Sequence, residues 1–202
     1  MNLDALSCDC PDCPAGILAR HLLEENARLR NLAGADELTG LLNRRGMRAT
    51  WSTWCRAGGD LIRATVAGVA MLDLDLFKPV NDKHGHEAGD RVLRRLADLI
   101  RRTGGTGVRL GGDEFAVFLS NAHGAYDPFD ALRTLAAAVA EPIAVTSRDK
   151  VEVTLSIGAV GIDEVDQDDD PETWLGHLLR TADMRLYMAK DAGRARIVGP
   201  GR

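Results

Sequence analysis

No run of apolar residues in this 202-residue chain approaches the ~18 that a membrane-spanning helix needs, so no span and no membrane partner are expected. Residues 1–12 have neither a basic stretch nor an apolar core, so no secretory signal is expected and a cytoplasmic protein is the reading. Positive charge is in short supply: 25 Lys and Arg face 30 Asp and Glu, a formal net charge of −5. Such a chain is a poor general binder of polymeric nucleic acid. A local cluster of cations could still hold a small anion. Cysteine is scarce too. Cys8, Cys10 and Cys13 sit together and Cys55 stands alone, which is no disulfide framework and suits a reducing compartment. What is left is ordinary for a globular protein, with 45% apolar and 27% charged residues. At about 150 residues per domain, the length fits one domain with an appendage.

The appendage comes first. Residues 1–14 read as an irregular leader containing Pro11 and Pro14. Residues 15–32 turn helical, with Leu18, Leu22, Leu29 and Leu32 at heptad-like spacing and Glu25 interrupting the seam. That helix is too short to stand alone; it either packs on its own domain or pairs with a second copy. Gly34 suits the position just past its end. A second helix is expected over residues 39–55, with Trp51, Trp54 and Cys55 as packing residues, and Gly58-Gly59-Asp60 as a turn.

Residues 65–76 are almost continuously apolar, the pattern of a strand buried on both faces. Asp73 and Asp75 lie at its end and, two apart, share a face. An amphipathic helix is expected over 87–102, with Val92, Leu93, Leu96, Leu99 and Ile100 inward. Strands at 108–110 and 115–119 are separated only by Gly111, Gly112, Asp113 and Glu114, a hairpin signal. A helix over 128–140, a strand over 151–160, an acidic loop over 163–172, a helix over 173–190 and a short strand over 195–198 complete the chain. This order implies an α/β (α+β) fold with a mainly antiparallel sheet flanked by helices.

Carboxylates at strand ends are costly unless they are solvated, hydrogen-bonded or bound to a cation. Asp73, Asp113 and Glu114 can converge into a hard oxygen site of the kind Mg²⁺ takes. Gly111 and Gly112 would let the turn adopt positive φ and let a ligand approach the backbone.

The words around these residues carry a resemblance. Arg109-Leu110-Gly111-Gly112-Asp113-Glu114-Phe115 matches the signature of the GGDEF family, the diguanylate cyclases. Residues 36–45 (Asp-Glu-Leu-Thr-Gly-Leu-Leu-Asn-Arg-Arg) resemble the segment that opens those domains. Asp73 to Lys78, Asn81-Asp82, Gly85-His86 and Gly89-Asp90 resemble the next block. Ser156-Ile157-Gly158, and Ala182-Asp183 through Lys190 to Gly193-Arg194, resemble the last two. The resemblance covers residues 34–198, leaving 1–33 as leader and helix and 199–202 as tail.

The resemblance implies a fold similar to the polymerase palm and nucleotide cyclases. It also implies condensation of two GTP into cyclic di-GMP with release of two pyrophosphates, on a homodimer. By the same resemblance, Asp73, the carbonyl of Leu74, Asp113 and Glu114 hold two Mg²⁺ or Mn²⁺ ions. Glu114, or a metal-held hydroxide, helps deprotonate the ribose 3′-hydroxyl that attacks the α-phosphate of the partner's GTP. Asn81 and Asp90 fall at the guanine-reading positions, and their chemistry suits that edge. Lys78, Lys190 and Arg194, with the backbone near Leu76, Phe77, Gly111 and Gly112, fall at substrate positions. Relatives that also accept ATP lack the acid at position 90, so Asp90 favours guanine over a mixed dinucleotide.

Two departures stand out. Many relatives carry an inhibitory Arg-x-x-Asp; here it reads Arg102-Thr103-Gly104-Gly105, so weak or absent product inhibition is expected. The N-terminus resembles no sensor family and is too short for the usual ones, which leaves room for a regulatory protein partner. Cys8, Cys10 and Cys13, with His21, could ligate Zn²⁺ or an iron–sulfur cluster, at a spacing that is not a standard finger; the competing reading is free thiols on an irregular leader. The competing class of answer is a silent GTP- or effector-binding module acting through protein interactions. Degeneration of that kind typically removes the signature acids or the guanine-reading residues, and all are present.

Overall fold

The computed structural model describes residues 21, 34–121, 127–146, 149–168 and 170–200. The expected heptad helix, apart from helical His21, and the cluster of Cys8, Cys10 and Cys13 lie outside the described residues. In chain order the elements are α1 (Arg44–Arg56), α2 (Gly59–Thr65), β1 (Val66–Asp75), α3 (Phe77–His84), α4 (His86–Arg102), β2 (Thr106–Gly111) and β3 (Glu114–Ser120). There follow α5 (Asp130–Ala140), β4 (Ile143–Ala144), β5 (Lys150–Val151), β6 (Thr154–Gly161), a 3₁₀ turn (Ile162–Glu164), α6 (Pro171–Asp191) and β7 (Ile197–Val198).

The strand expected to be buried on both faces is the central one. β1 lies between β3 and β6, antiparallel to both, in a five-stranded sheet of order β2-β3-β1-β6-β7. Among the described strands the β6–β7 pair alone is parallel. Period-two alternation sends Ala70, Leu72 and Leu74 to a core shared with Val92, Leu96 and Ile100 of α4 and Leu132 and Leu135 of α5. Val69 and Met71 go to the other face, against Met47 and Trp51 of α1 and Leu175, Leu178 and Ala182 of α6. The result is helices on both faces of a mainly antiparallel sheet, as the sequence implied.

Several boundaries differ, each for a local reason. α1 starts at Arg44, not 39, because Asn43 caps it: its side chain accepts from the Gly46 N–H at 2.9 Å. Residues 36–42 make a turn instead, in which the Asp36 carboxylate accepts from the Thr39 N–H at 2.9 Å and the Thr39 hydroxyl at 2.6 Å. Gly34, expected just past a helix end, is itself helical. Gly58, at φ 112°, ends the linker after α1, and the expected turn at Gly59 is the start of α2. The strand expected over 151–160 divides into β5 and β6. α6 begins at Pro171 inside the expected acidic loop, capped by Asp170, which accepts from the Thr173 N–H at 2.9 Å.

The packing that matters most for the site is between α6 and β6. A Cβ on Gly158 would lie 2.1 Å from both the Ala182 carbonyl oxygen and the Leu186 nitrogen, so the helix backbone rides directly on the strand. Arg185 then reaches the Ala159 carbonyl at 2.7 Å and forms a two-pronged pair with Glu164 at 2.9 and 2.7 Å. This contact fixes the axial position of α6 and delivers its last turn to the end of β1.

Candidate functional site

The signature turn is built from both of its flanks. Gly111 (φ 151°) and Gly112 (φ 54°) close the β2–β3 hairpin in conformations that favour glycine. Arg109 holds the turn from below, donating from Nε at 3.0 Å and Nη2 at 2.8 Å to the Gly112 carbonyl. Its Nη1 meets both Asp36 oxygens at 3.1 and 3.2 Å. Burial alone would raise the Asp36 carboxyl, but the hydrogen bonds from Thr39 and Arg109 outweigh it and hold the group below its ordinary range. From the other side, Arg44 donates to the Leu110 carbonyl at 2.8 Å, and its Nη2 lies 3.7 Å from Glu114.

Strand register brings the acids to one place. Asp73 is opposite Glu114 on β3 and Ser156 on β6. Asp73 is buried, whereas Glu114 is exposed at the turn and Asp113 is intermediate. Burial pushes the Asp73 carboxyl above the usual carboxylate range, and the Asp113 and Asp75 charges push the same way. The Lys190 ammonium, 2.7 Å from Asp73 Oδ2, only partly offsets this. Among the described residues no three His, Cys, Asp or Glu side chains are arranged as a metal-holding cluster. The donor set nevertheless fits a divalent cation. Asp73 and Asp113 repel each other, and a cationic side chain already sits on the buried one. The Leu74 side chain belongs to the core, so only its carbonyl could serve a ligand.

A second group forms at the α3–α4 corner. Leu76 precedes α3 in the left-handed region, at φ 55° and ψ 34°, and is 67% exposed. For a residue with a Cβ this is a strained conformation of the kind that collects at functional sites. No side chain caps α3, so its first N–H groups are available to an anion. Lys78 is exposed on its first turn, while Phe77 is buried beneath it. Gly85 (φ 82°) turns the chain into α4. A Cβ on Gly89 would lie 1.9 Å from Asn81 Oδ1, so the bare glycine leaves the space in which Asn81 sits beside Asp90. Asp90 pairs weakly with Arg94 at 3.7 Å along the helix.

The third group follows α6. Gly193, Arg194 and Ala195 all have positive φ (109°, 63° and 50°), and the Arg194 side chain is on an exposed residue. Lys190, expected at a substrate phosphate, is placed on Asp73 instead. Sequence reasoning gave no role to Arg44, Arg109, Asp36, Asp75 or Gly89. All five stand inside the matching blocks, so position was the available signal; which carbonyl or side chain each touches depends on long-range register.

The comparisons with known proteins agree with this geometry. Residues 33–196 match the family model described as diguanylate cyclase, GGDEF domain. The chain is 35% identical to the diguanylate cyclase TpbB of Pseudomonas aeruginosa over 86% of its own length and 39% of TpbB's. It is 36% identical to the response regulator PleD of Caulobacter vibrioides, over 83% of its length and 36% of PleD's. The chain thus spans well under two thirds of these relatives. The solved GGDEF domain of TpbB superposes with a TM-score of 0.69 at 34% identity, over 83% of this chain and 94% of that one. The coiled coil and GGDEF domain of DgcB from Caulobacter crescentus, solved with c-di-GMP, gives 0.73 at 25% identity, over 91% and 94%. SiaD of Pseudomonas aeruginosa, solved with its activator SiaC, gives 0.71 at 27% identity, over 91% and 68%. With the match to the family model running through all three groups of site residues, the chain belongs to the GGDEF domain family.

Proposed function

We infer that this chain is an active diguanylate cyclase, condensing two GTP into cyclic di-GMP with loss of two pyrophosphates. The observation that carries the reading is the register that sets buried Asp73 opposite Glu114, beside Asp113 and below a glycine turn. Asp73, Asp113, Glu114 and the Leu74 carbonyl would hold Mg²⁺ or Mn²⁺, two ions per site, and these ions would supply charge neutralisation at the triphosphate.

The residues divide the remaining work. Asp90 accepts from the N1–H and exocyclic amine of guanine, and Asn81 offers one donor and one acceptor to the same base. Lys78 and the free N–H groups after Leu76 and Phe77 bind phosphate oxygens, as do Arg194 and Lys190. Lys190 now pairs with Asp73 and would be free to reach the phosphates were that carboxylate to hold a cation. The backbone of Gly111 and Gly112 lets the ribose and α-phosphate approach. Glu114 takes the proton from the 3′-hydroxyl, which then attacks in line at the α-phosphate of a second GTP. One subunit holds one nucleotide, so two subunits must face each other, and rate enhancement comes mainly from positioning.

The domain that carries this chemistry is residues 34–198, with 1–33 as the pairing element and 199–202 as a tail, in the cytoplasm. A regulatory protein partner acting on the N-terminal segment belongs to the same reading, and SiaD, solved with its activator, is a precedent. Gly105 supports the loss of product inhibition. A Cβ there would lie 2.5 Å from the Phe118 carbonyl oxygen, so the backbone has no room for the missing acid.

The test is to supply GTP and ATP together with Mg²⁺ and identify the products by mass spectrometry. Cyclic di-GMP as the main product supports the reading. A mixed dinucleotide overturns the guanine assignment. No cyclic product from dimeric protein makes the chain a silent nucleotide-binding module.

A further inference from the structure

One buried carboxylate has no part in the chemistry above. Asp75 ends β1 and is 6% exposed. A carboxylate that deep normally has a counter-charge or a full set of donors. Asp75 has donors, all of them neutral. Oδ1 accepts from the Ser156 hydroxyl at 2.7 Å. Oδ2 accepts from the Thr154 hydroxyl at 2.7 Å and from the Ala195 backbone N–H at 3.0 Å. Two of these bonds join it to β6, its neighbour in the sheet. The third runs across 120 positions of sequence to the loop after α6.

That loop is under conformational load. Gly193, Arg194 and Ala195 are consecutive and all at positive φ, and two of them carry a Cβ. Left-handed backbone at such residues is strained and persists only where the surroundings impose it. Two constraints are visible. The Arg194 N–H is tied back to the Ala189 carbonyl at 3.0 Å, and the Ala195 N–H is tied to Asp75. The chain then continues to Arg196, whose carbonyl accepts from the Ile157 N–H at 2.9 Å, into β7. Arg194 therefore sits between a helix end and a residue clamped to the sheet.

We propose that Asp75 is the positioning residue for the phosphate-binding end of the site: by holding the Ala195 N–H, its carboxylate keeps residues 193–195 left-handed and so aims Arg194 at the triphosphate. This rests on the GTP reading above and deepens it. Asp75 touches neither substrate nor metal in this assignment, although it lies two residues from Asp73 on the same face. The geometry also gives a purpose to Ser156 and Thr154, which fix the carboxylate so that its second oxygen faces the loop.

The discriminating feature is that hydroxyls can reverse their hydrogen bonds whereas a backbone N–H cannot. In Asp75→Asn, the amide oxygen can keep Ala195 and Thr154 while the amide nitrogen donates to Ser156. In Asp75→Ala all three bonds are gone. Affinities for GTP, read with its α,β-methylene analogue, which cannot lose pyrophosphate, and for GMP would be measured in Mg²⁺ by titration of the 202-residue chain. The expected result is that Asp75→Ala loses GTP affinity about tenfold, the scale of one charge-assisted hydrogen bond, while GMP affinity hardly moves. Asp75→Asn should retain near-parental affinity for both. Arg194→Ala should lose a similar factor, and the double variant Asp75→Ala/Arg194→Ala little more, because both act through one contact.

If Asp75→Ala does not fold, Asp75→Ser, which can still bond Ser156 but does not reach Ala195, carries the same expectation. Equal loss in Asp75→Asn and Asp75→Ala would overturn the proposal and make the negative charge itself the requirement. Equal loss for GTP and GMP, or fully additive losses with Arg194→Ala, would overturn it as well. Parental protein that binds no GTP at all would instead strike the GTP reading on which the proposal stands.

Discussion

Asp73 pays in stability for its position. Its carboxyl is held above the usual range chiefly by burial, so ionising it at neutral pH opposes folding. An acid with a raised folded pKa costs nothing when protonated in both states; the cost grows as pH rises through the unfolded value and is complete above the folded one. Asp73→Asn should therefore abolish cyclase activity yet raise Tm at pH 7 by about 2 °C, with the gain shrinking toward acid pH, as read by calorimetry across pH. A second residue-scale expectation concerns Gly89. Gly89→Ala places a methyl where Asn81 Oδ1 now lies, and that side chain can swing away. KM for GTP should rise about tenfold with kcat changed less, since base reading and not the metal site is disturbed. At this scale the sequence was most informative where the proposed role rests on a residue's own chemical type, as for Asp73, Asp90 and Glu114. It was silent on Asp75, whose role depends on Ala195, 120 positions away.

Among the close approaches between elements, α6 on β6 is one that bears on the site. Gly158→Ala would force a methyl to within 2.1 Å of helix backbone, which no side-chain rotation can relieve. It should destabilise by about 3 kcal/mol, the upper range for overpacking, in a denaturant melt. The Glu164–Arg185 pair supports the same contact. Arg185 hydrogen bonding is the main reason that Glu164 is held below its usual range. A depressed acid contributes stability above its unfolded pKa and loses it as pH falls through the folded value. Glu164→Gln should thus cost about 1 kcal/mol at pH 7, with the difference fading below about pH 4. The long periodic elements β1, α4 and α6 were legible because one face or both faces are apolar throughout. α2 and α3 were not, since seven and eight residues hold too little period. α1 was placed too early because the turn over 36–42 is set by the hydrogen bond from Thr39 to Asp36, which apolar spacing does not show.

Over the whole molecule, the ends of β1, the β2–β3 hairpin, the α3–α4 corner and the loop after α6 gather at one end of the sheet. In the proposed function they would contribute, between them, acids for the metal, a turn open to ligand, base reading and phosphate cations. The net acidic balance of the composition is compatible with an anionic substrate because the cations are local: Lys78, Lys190 and Arg194. The match to the family was legible in ordered motifs, and the sheet order followed from them only through the register of Asp73 with Glu114. In the proposed function, two such sites, each with its own GTP, would make one product. The direct measurement is the initial rate of cyclic di-GMP and pyrophosphate formation from GTP and Mg²⁺, for the parental chain and Glu114→Gln, over a range of protein concentration. The expected result is two pyrophosphates per cyclic di-GMP, a specific activity that rises with protein concentration, and a loss of about a hundredfold or more in Glu114→Gln. Unchanged activity in Glu114→Gln, or no cyclic di-GMP at any protein concentration, would contradict it.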